Sequence, residues 1–172
     1  SLRIENWSVI RRYGAPDRIA CITDYPPAET ALGYSFSTMS LLVAPEELSR
    51  ELESSRKPLL IDLRPAEDFC ENHLPGAVHL DLFGISSIDT DPAPLKAFFW
   101  IIEHLLASRG VSNEVPVVVY DETSGIRAAR AFWFLEYFGH PDARVLDGGY
   151  GAWARLGLPL TRKAGKPGAT EW

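Results

Sequence analysis

The stretch "VPVVVYDETSGIRAARAFWFLEYFGH" at residues 115–140 decides the fold. Its first six residues form a mainly β-branched apolar run with Glu114 before it and Asp121 after it. An unbroken apolar run of this kind suits a central strand covered on both faces. The run stops at Tyr120, and Asp121 to Ile126 reads as a loop. From about Arg127 to Phe138 apolar residues recur at helical spacing, until Gly139 and Pro141 end the helix. Strand, short loop and helix make the repeating unit of an α/β sheet. Ligands of such sheets bind beyond the carboxyl ends of the strands, so the chemistry is expected just after Tyr120.

The same alternation extends in both directions. Towards the amino terminus, Leu41–Val43 is a short apolar run, and Pro45 opens a helix to about Ser54. Leu59–Asp62 is a run ending in an acid, and Pro65 starts a second short helix. Ala77–Leu80 is a weaker strand. Pro94 to about Ser108 is a helix with Leu95, Phe98, Phe99, Ile102, Leu105 and Leu106 on one stripe, stopped by Gly110. Towards the carboxyl terminus, Val145–Leu146 is a short strand and Gly149 to about Leu156 a last helix, closed by Gly157 and Pro159. The pattern predicts an α/β domain over residues 41–162, with a mainly parallel central sheet of about five strands flanked by helices. Residues 1–40 show no sustained periodicity and are expected to be an amino-terminal extension of unclear role. Residues 163–172, "KAGKPGATEW", read as a linker or tail.

Composition narrows the function classes. The chain has 172 residues, with 17 basic and 23 acidic side chains and a formal net charge of −6. That balance argues against nucleic acid or an anionic membrane as the main partner. No apolar stretch is long enough for a membrane span, and residues 1–20 carry charges where a signal peptide would be apolar. The two cysteines, Cys21 and Cys70, form neither a disulfide framework nor a cysteine-rich metal site. With no signal and few cysteines, the expected location is cytoplasmic. The four histidines lack metal-ligand spacing, and "DGGYGAW" is not a dinucleotide fingerprint, so no metal and no cofactor are expected.

The loop at 121–127 admits two readings. The first backbone N–H groups of a helix lack partners and favour negative charge. Ser124, Gly125 and Arg127 could therefore surround a small anion, with Glu122 and Ile126 at its edges. Alternatively, Asp121 and Thr123 simply cap the helix. The helix that follows is apolar nearly all round. Ala128, Ala131, Phe132 and Leu135 form one face, while Trp133, Phe134 and Tyr137 add aromatics elsewhere. Such a helix is buried on more than one side, by one large core or by an interface with a second domain or subunit. Trp100 and Ile101 lie off the main stripe of their helix in the same way. An aspartyl nucleophile for phosphoryl transfer is disfavoured, because Thr123 stands where a second Asp would be needed.

Five stretches in order resemble the rhodanese family of sulfurtransferases. "LLVAPEEL" (41–48) looks like the opening strand and helix. "LLIDLRPAEDF" (59–69) holds the Asp-x-Arg pair, Asp62 and Arg64. "HLPGAVHLD" (73–81) is similar to the His-x-Pro-Gly-Ala signature, with His73 and Gly76. "VVVYDE" (117–122) matches the strand into the active loop. "LDGGYGAW" (146–153) matches the closing signature, with Gly148, Gly149 and Trp153. The resemblance implies structural roles for Asp62, Arg64 and His73. It also implies a cysteine directly after the central strand, which attacks a donor such as thiosulfate and carries the sulfur as a persulfide to an acceptor such as cyanide or a thiol.

Here that position is Asp121, and a carboxylate forms no persulfide. It would also repel an anionic donor at the loop entrance. The longer Cys-x5-Arg loop of the related phosphatases, mimicked by the Asp121 to Arg127 spacing, fails for the same reason. Cys70, flanked by Asp68 and Glu71, is expected to be a structural cysteine. The resemblance is greatest to the first, non-catalytic domain of tandem rhodaneses, which has Asp after the Tyr of "VVYD". It implies a domain that supports an active site on a second rhodanese-like domain or subunit, with Trp133, Phe134 and Tyr137 at the interface. The alternatives are a stand-alone regulatory module binding an anion or peptide, and an enzyme using Cys70.

Overall fold

The computed structural model describes residues 41–166. The expectations for residues 1–40, for Cys21 and for the end of the tail lie outside the described residues. Ten elements alternate: β1 (Leu42–Val43), α1 (Pro45–Glu51), β2 (Leu59–Asp62), α2 (Ala66–Glu71), β3 (Val78–His79), α3 (Pro92–Ala107), β4 (Val117–Tyr120), α4 (Ile126–Tyr137), β5 (Ala143–Leu146) and α5 (Gly149–Arg155). The five strands form one sheet in the order β1-β5-β4-β2-β3, with every pairing parallel. The "VPVVVY" run is the central strand, as expected, and all four residues of β4 are buried.

Side chains alternate across the sheet and sort into two cores. Ile61, Val117 and Val119 meet Ile102, Leu106, Ala131, Phe134 and Leu135 on the side of α3 and α4. Leu60, Val118 and Tyr120 meet Leu48, Phe69 and Trp153 on the side of α1, α2 and α5. The Trp153 indole N–H donates to the Pro159 carbonyl at 2.9 Å, so a fully buried tryptophan leaves no polar atom unmatched.

The boundaries depart from the sequence reading for identifiable reasons. β4 starts at Val117 because Pro116 has no N–H to donate, although its carbonyl still accepts from Leu59 at 2.8 Å. α3 begins at Pro92, not Pro94; both prolines fit in a first turn whose N–H groups have no helical partners. β5 runs from Ala143, longer than its apolar pattern suggested. Arg144 interrupts that pattern but pairs with both Glu51 oxygens at 2.8 Å, which raises its already high pKa.

Beyond α4, His140 is 4% exposed, facing the Ser112 carbonyl through Nε2 at 3.0 Å and accepting the Asp142 N–H on Nδ1 at 3.2 Å. Burial pushes its pKa below the ordinary value, outweighing the Ser112 hydrogen bond and the Asp142 charge. The unfolded chain therefore binds this proton more readily than the folded one. The contribution is neutral above about pH 6.5 and becomes destabilising as pH falls through that value towards the folded pKa. Urea midpoints measured from pH 7.5 to 5 should fall on acidification, and His140→Gln should flatten that part of the profile. An unchanged slope in the variant would assign the dependence to other groups.

Candidate functional site

The chain leaves β2 for β3 on one side and returns through β4 on the other. The carboxyl ends of β2 and β4 therefore flank the point where strand order reverses, the usual ligand crevice of an open parallel sheet. Two segments meet there, Asp62–Arg64 and Asp121–Arg127.

The loop after β4 closes on its own first residue. Asp121 is 4% exposed, and its carboxylate lies inside the loop, not at its mouth as the sequence reading placed it. Oδ1 accepts the N–H groups of Thr123 at 3.1 Å and Gly125 at 2.8 Å, and Oδ2 accepts that of Ala128 at 3.0 Å. These donors include the N-terminal end of α4, where a negative charge is favoured. Asp121 thus holds the entry to α4 as the capping alternative expected, whereas Thr123 enters through its backbone N–H and not its hydroxyl; three of the N–H groups an external anion would use already bind a carboxylate.

The remaining members of the expected anion site are engaged as well. Ser124, at a positive φ of 62°, donates its hydroxyl to the Leu146 carbonyl at 2.6 Å. Arg127 pairs with Asp81 at 2.6 Å and lies over the Phe83 ring at 4.5 Å. Ile126 is 71% exposed at the rim. Glu122 points into solvent towards the Arg64 side, 3.9 Å from its Nη1.

The glycine pair at 148–149 ties the loop to α5. Gly149 has φ 59°, and a Cβ there would strike the Asp121 carbonyl oxygen and lie 2.8 Å from the Glu122 carbonyl carbon and the Thr123 nitrogen. Its absence lets the Tyr150 N–H reach the Asp121 carbonyl at 2.8 Å and the Gly151 N–H reach that of Glu122 at 2.9 Å. The loop is therefore held by main-chain bonds independent of the Asp121 side chain.

Arg64, 3% exposed, binds the fully buried Asp62 through Nε at 3.1 Å and Nη2 at 2.8 Å, and donates from Nη2 to the Asn72 carbonyl at 2.6 Å. Its guanidinium stacks on the Tyr150 ring at 3.8 Å. Burial alone would lower its pKa, but the bond and charge of Asp62 hold it above the usual value. Burial, followed by the Asp62 charge, keeps the Tyr120 phenol well above its ordinary range and therefore neutral. His73 stacks on Phe69 at 3.9 Å, with Nδ1 on the Phe69 carbonyl at 2.8 Å, and exchanges two backbone bonds with Thr161. Gly76 takes φ 83° in the turn before β3.

Two expectations are corrected. Phe134 is 2% exposed and belongs to the chain's own core, because the α4 face opposite Trp133 packs on the sheet and α3. Trp133 and Tyr137 stay about half exposed, stacked in a row with Phe99 of α3, and Trp100 and Ile101 of α3 are exposed as well. Cys70 is exposed on α2, so it is not a packed structural cysteine. Sequence reading missed Tyr150, which appeared only inside a glycine signature, and Asn72, the C-cap of α2, which no motif marked. Among the described residues, no group of three or more His, Cys, Asp or Glu side chains could hold a metal ion. No described helix is long and apolar enough to cross a membrane.

A family model for the rhodanese-like domain matches residues 44–156, well over half of the chain. The chain belongs to that family. It is 32% identical over 133 residues to a thiosulfate sulfurtransferase of Azotobacter vinelandii, covering 77% of this chain and 48% of the relative. A sulfur carrier protein of Thermus thermophilus, TtuD, is 36% identical over 91 residues, covering 52% and 30%. Among solved structures, the Escherichia coli 3-mercaptopyruvate sulfotransferase SseA superposes with a TM-score of 0.64 at 26% identity, covering 77% of this chain and 56% of that one. This rhodanese-like chain therefore spans about half the length, or less, of these curated relatives.

Proposed function

We infer that this rhodanese-like domain is a non-catalytic half of a thiosulfate sulfurtransferase, supporting an active site whose persulfide-forming cysteine lies on a second rhodanese-like domain. The observation that carries this reading is the Asp121 carboxylate, bound by three N–H groups where the family resemblance calls for a thiolate. A carboxylate has no sulfur to extend and occupies the donors that would lower a thiol pKa and hold an anionic donor. The half-exposed Trp133 and Tyr137 offer an aromatic face of the sort that a second domain covers. The anion-binding version of a stand-alone module is less favoured, since three of its N–H donors already bind Asp121.

The test is a thiosulfate:cyanide assay of the chain with mass detection of sulfur uptake, run beside the Asp121→Cys variant. The unaltered chain is expected to show neither turnover nor the gain of a sulfur atom. Turnover that survives replacement of Cys21 and Cys70 would overturn the reading, and turnover lost with Cys70 would move the nucleophile there. The variant is expected to take up one sulfur atom, because main-chain bonds to α5 hold the loop even without the side chain replaced. No uptake would mean that the cradle geometry depends on Asp121 itself.

A further inference from the structure

The reversal point of the sheet holds a second feature, apart from the closed loop. A cleft of about 390 Å³ is lined by Arg64, Asp68, Glu71, Asn72, Glu122 and Tyr150. Arg64 forms a buried part of its wall. Asp62 and the Asn72 carbonyl occupy Nε and Nη2, and the Tyr150 ring covers the guanidinium plane. Nη1 differs. It makes no hydrogen bond to a described residue, and its ion-pair partner, Glu122 Oε2, stands 3.9 Å away. A guanidinium N–H group is thus presented to the cleft from a side chain that is 3% exposed.

The rest of the lining has the opposite demand. Asp62 already balances the Arg64 charge, so the single cation of the cleft wall faces three further carboxylates, Asp68, Glu71 and, 3.9 Å from Nη1, Glu122. A simple anion would be repelled by three acids, and a simple cation would leave Nη1 unmatched. The gap between Nη1 and Glu122 is too wide for the two to bond each other, and suits one ligand that gives an oxygen to the first and an N–H to the second.

We propose that this cleft binds an α-ammonium group adjacent to a carbonyl or carboxylate, the group shared by free amino acids and the amino termini of peptides. The oxygen accepts from Arg64 Nη1. The ammonium, two carbon atoms away, donates to Glu122 and faces the acids of α2. Tyr150 holds the planar guanidinium in place by stacking on it, and is itself fixed by its hydroxyl bond to the Asn72 side chain. Neither Asp121 nor a second domain takes part, so this inference stands or falls separately from the proposed function.

The experiment is an NMR titration of the ¹⁵N-labelled chain with glycinamide, glycine, ethylammonium and N-acetylglycine at matched ionic strength. The signals followed are the Arg64 Nε and the amides of Asn72, Glu122 and Tyr150. Saturable, localised shifts are expected with glycinamide and glycine. Tighter binding of glycinamide identifies a peptide amino terminus as the ligand, and tighter binding of glycine a free amino acid. The Glu122 side chain is 61% exposed, so Glu122→Gln should leave the fold intact. The variant is expected to weaken binding by about tenfold, the loss of one charge-assisted bond. Shifts that never saturate, equal binding of ethylammonium or N-acetylglycine, or an unchanged affinity in Glu122→Gln would each overturn the proposal.

Discussion

Replacing Asp121 by alanine is expected to lower the unfolding free energy by about 2–4 kcal/mol, the cost of three orphaned N–H donors reduced by what water can reclaim. The carboxylate is almost fully buried and takes the N–H groups of Thr123, Gly125 and Ala128, so no protein acceptor remains once it is gone. The sum stays below three full charge-assisted bonds because Glu122 and Thr123 are exposed and water can enter the truncated loop. Asp121→Asn keeps the volume and one acceptor oxygen, and should cost roughly half as much. Urea unfolding followed by tryptophan fluorescence measures both. A loss under about 0.5 kcal/mol for the alanine variant would show that the loop closes without its carboxylate. Formate, small enough to fill the vacated space, should restore part of the stability of Asp121→Ala and leave the unaltered chain unmoved. That contrast separates a missing acceptor from a merely loosened loop.

The fold was legible because its strands are apolar runs punctuated by Pro, Gly and acids, and that punctuation is local. β4 stands out for being covered on both faces, which removes the polar alternation of an edge strand. What is not local was harder to read. The loop's position could be named from sequence, but whether Asp121 points out at a donor or in at its own N–H groups depends on a positive φ at Ser124 and on α5 pressing through Gly149. Nothing in residues 121–127 announces either condition. The α4 helix shows the same limit, since its aromatic content did not say which ring faces inward. Phe134 goes to the core while Trp133 and Tyr137 remain half exposed, a difference set by how α4 is rotated on the sheet. The cleft beside Arg64 joins residues from α2, the loop after β4 and α5, and Tyr150 earns its place only when those three segments are brought together.

Arg64→Ala should have the larger effect, about 3–5 kcal/mol, because it leaves a buried carboxylate uncompensated. Asp62 is fully buried and Arg64 is 3% exposed, so solvent does little to screen either partner. With the guanidinium gone, Asp62 keeps the Arg64 backbone N–H at 2.9 Å, but no positive charge. The Asn72 carbonyl and the face of Tyr150 lose their partner at the same time. On thermal unfolding the drop should be on the order of 10 °C. The decisive comparison is the double variant Asp62→Asn, Arg64→Met. It removes both charges while keeping much of the volume, and should recover at least about 2 kcal/mol of the single variant's loss. Such recovery would identify the cost as that of a stranded charge and not of lost packing. If the double variant is as unstable as Arg64→Ala, the guanidinium acts instead through Tyr150 and Asn72, and the pair at the carboxyl end of β2 is a packing element with charge as a secondary feature.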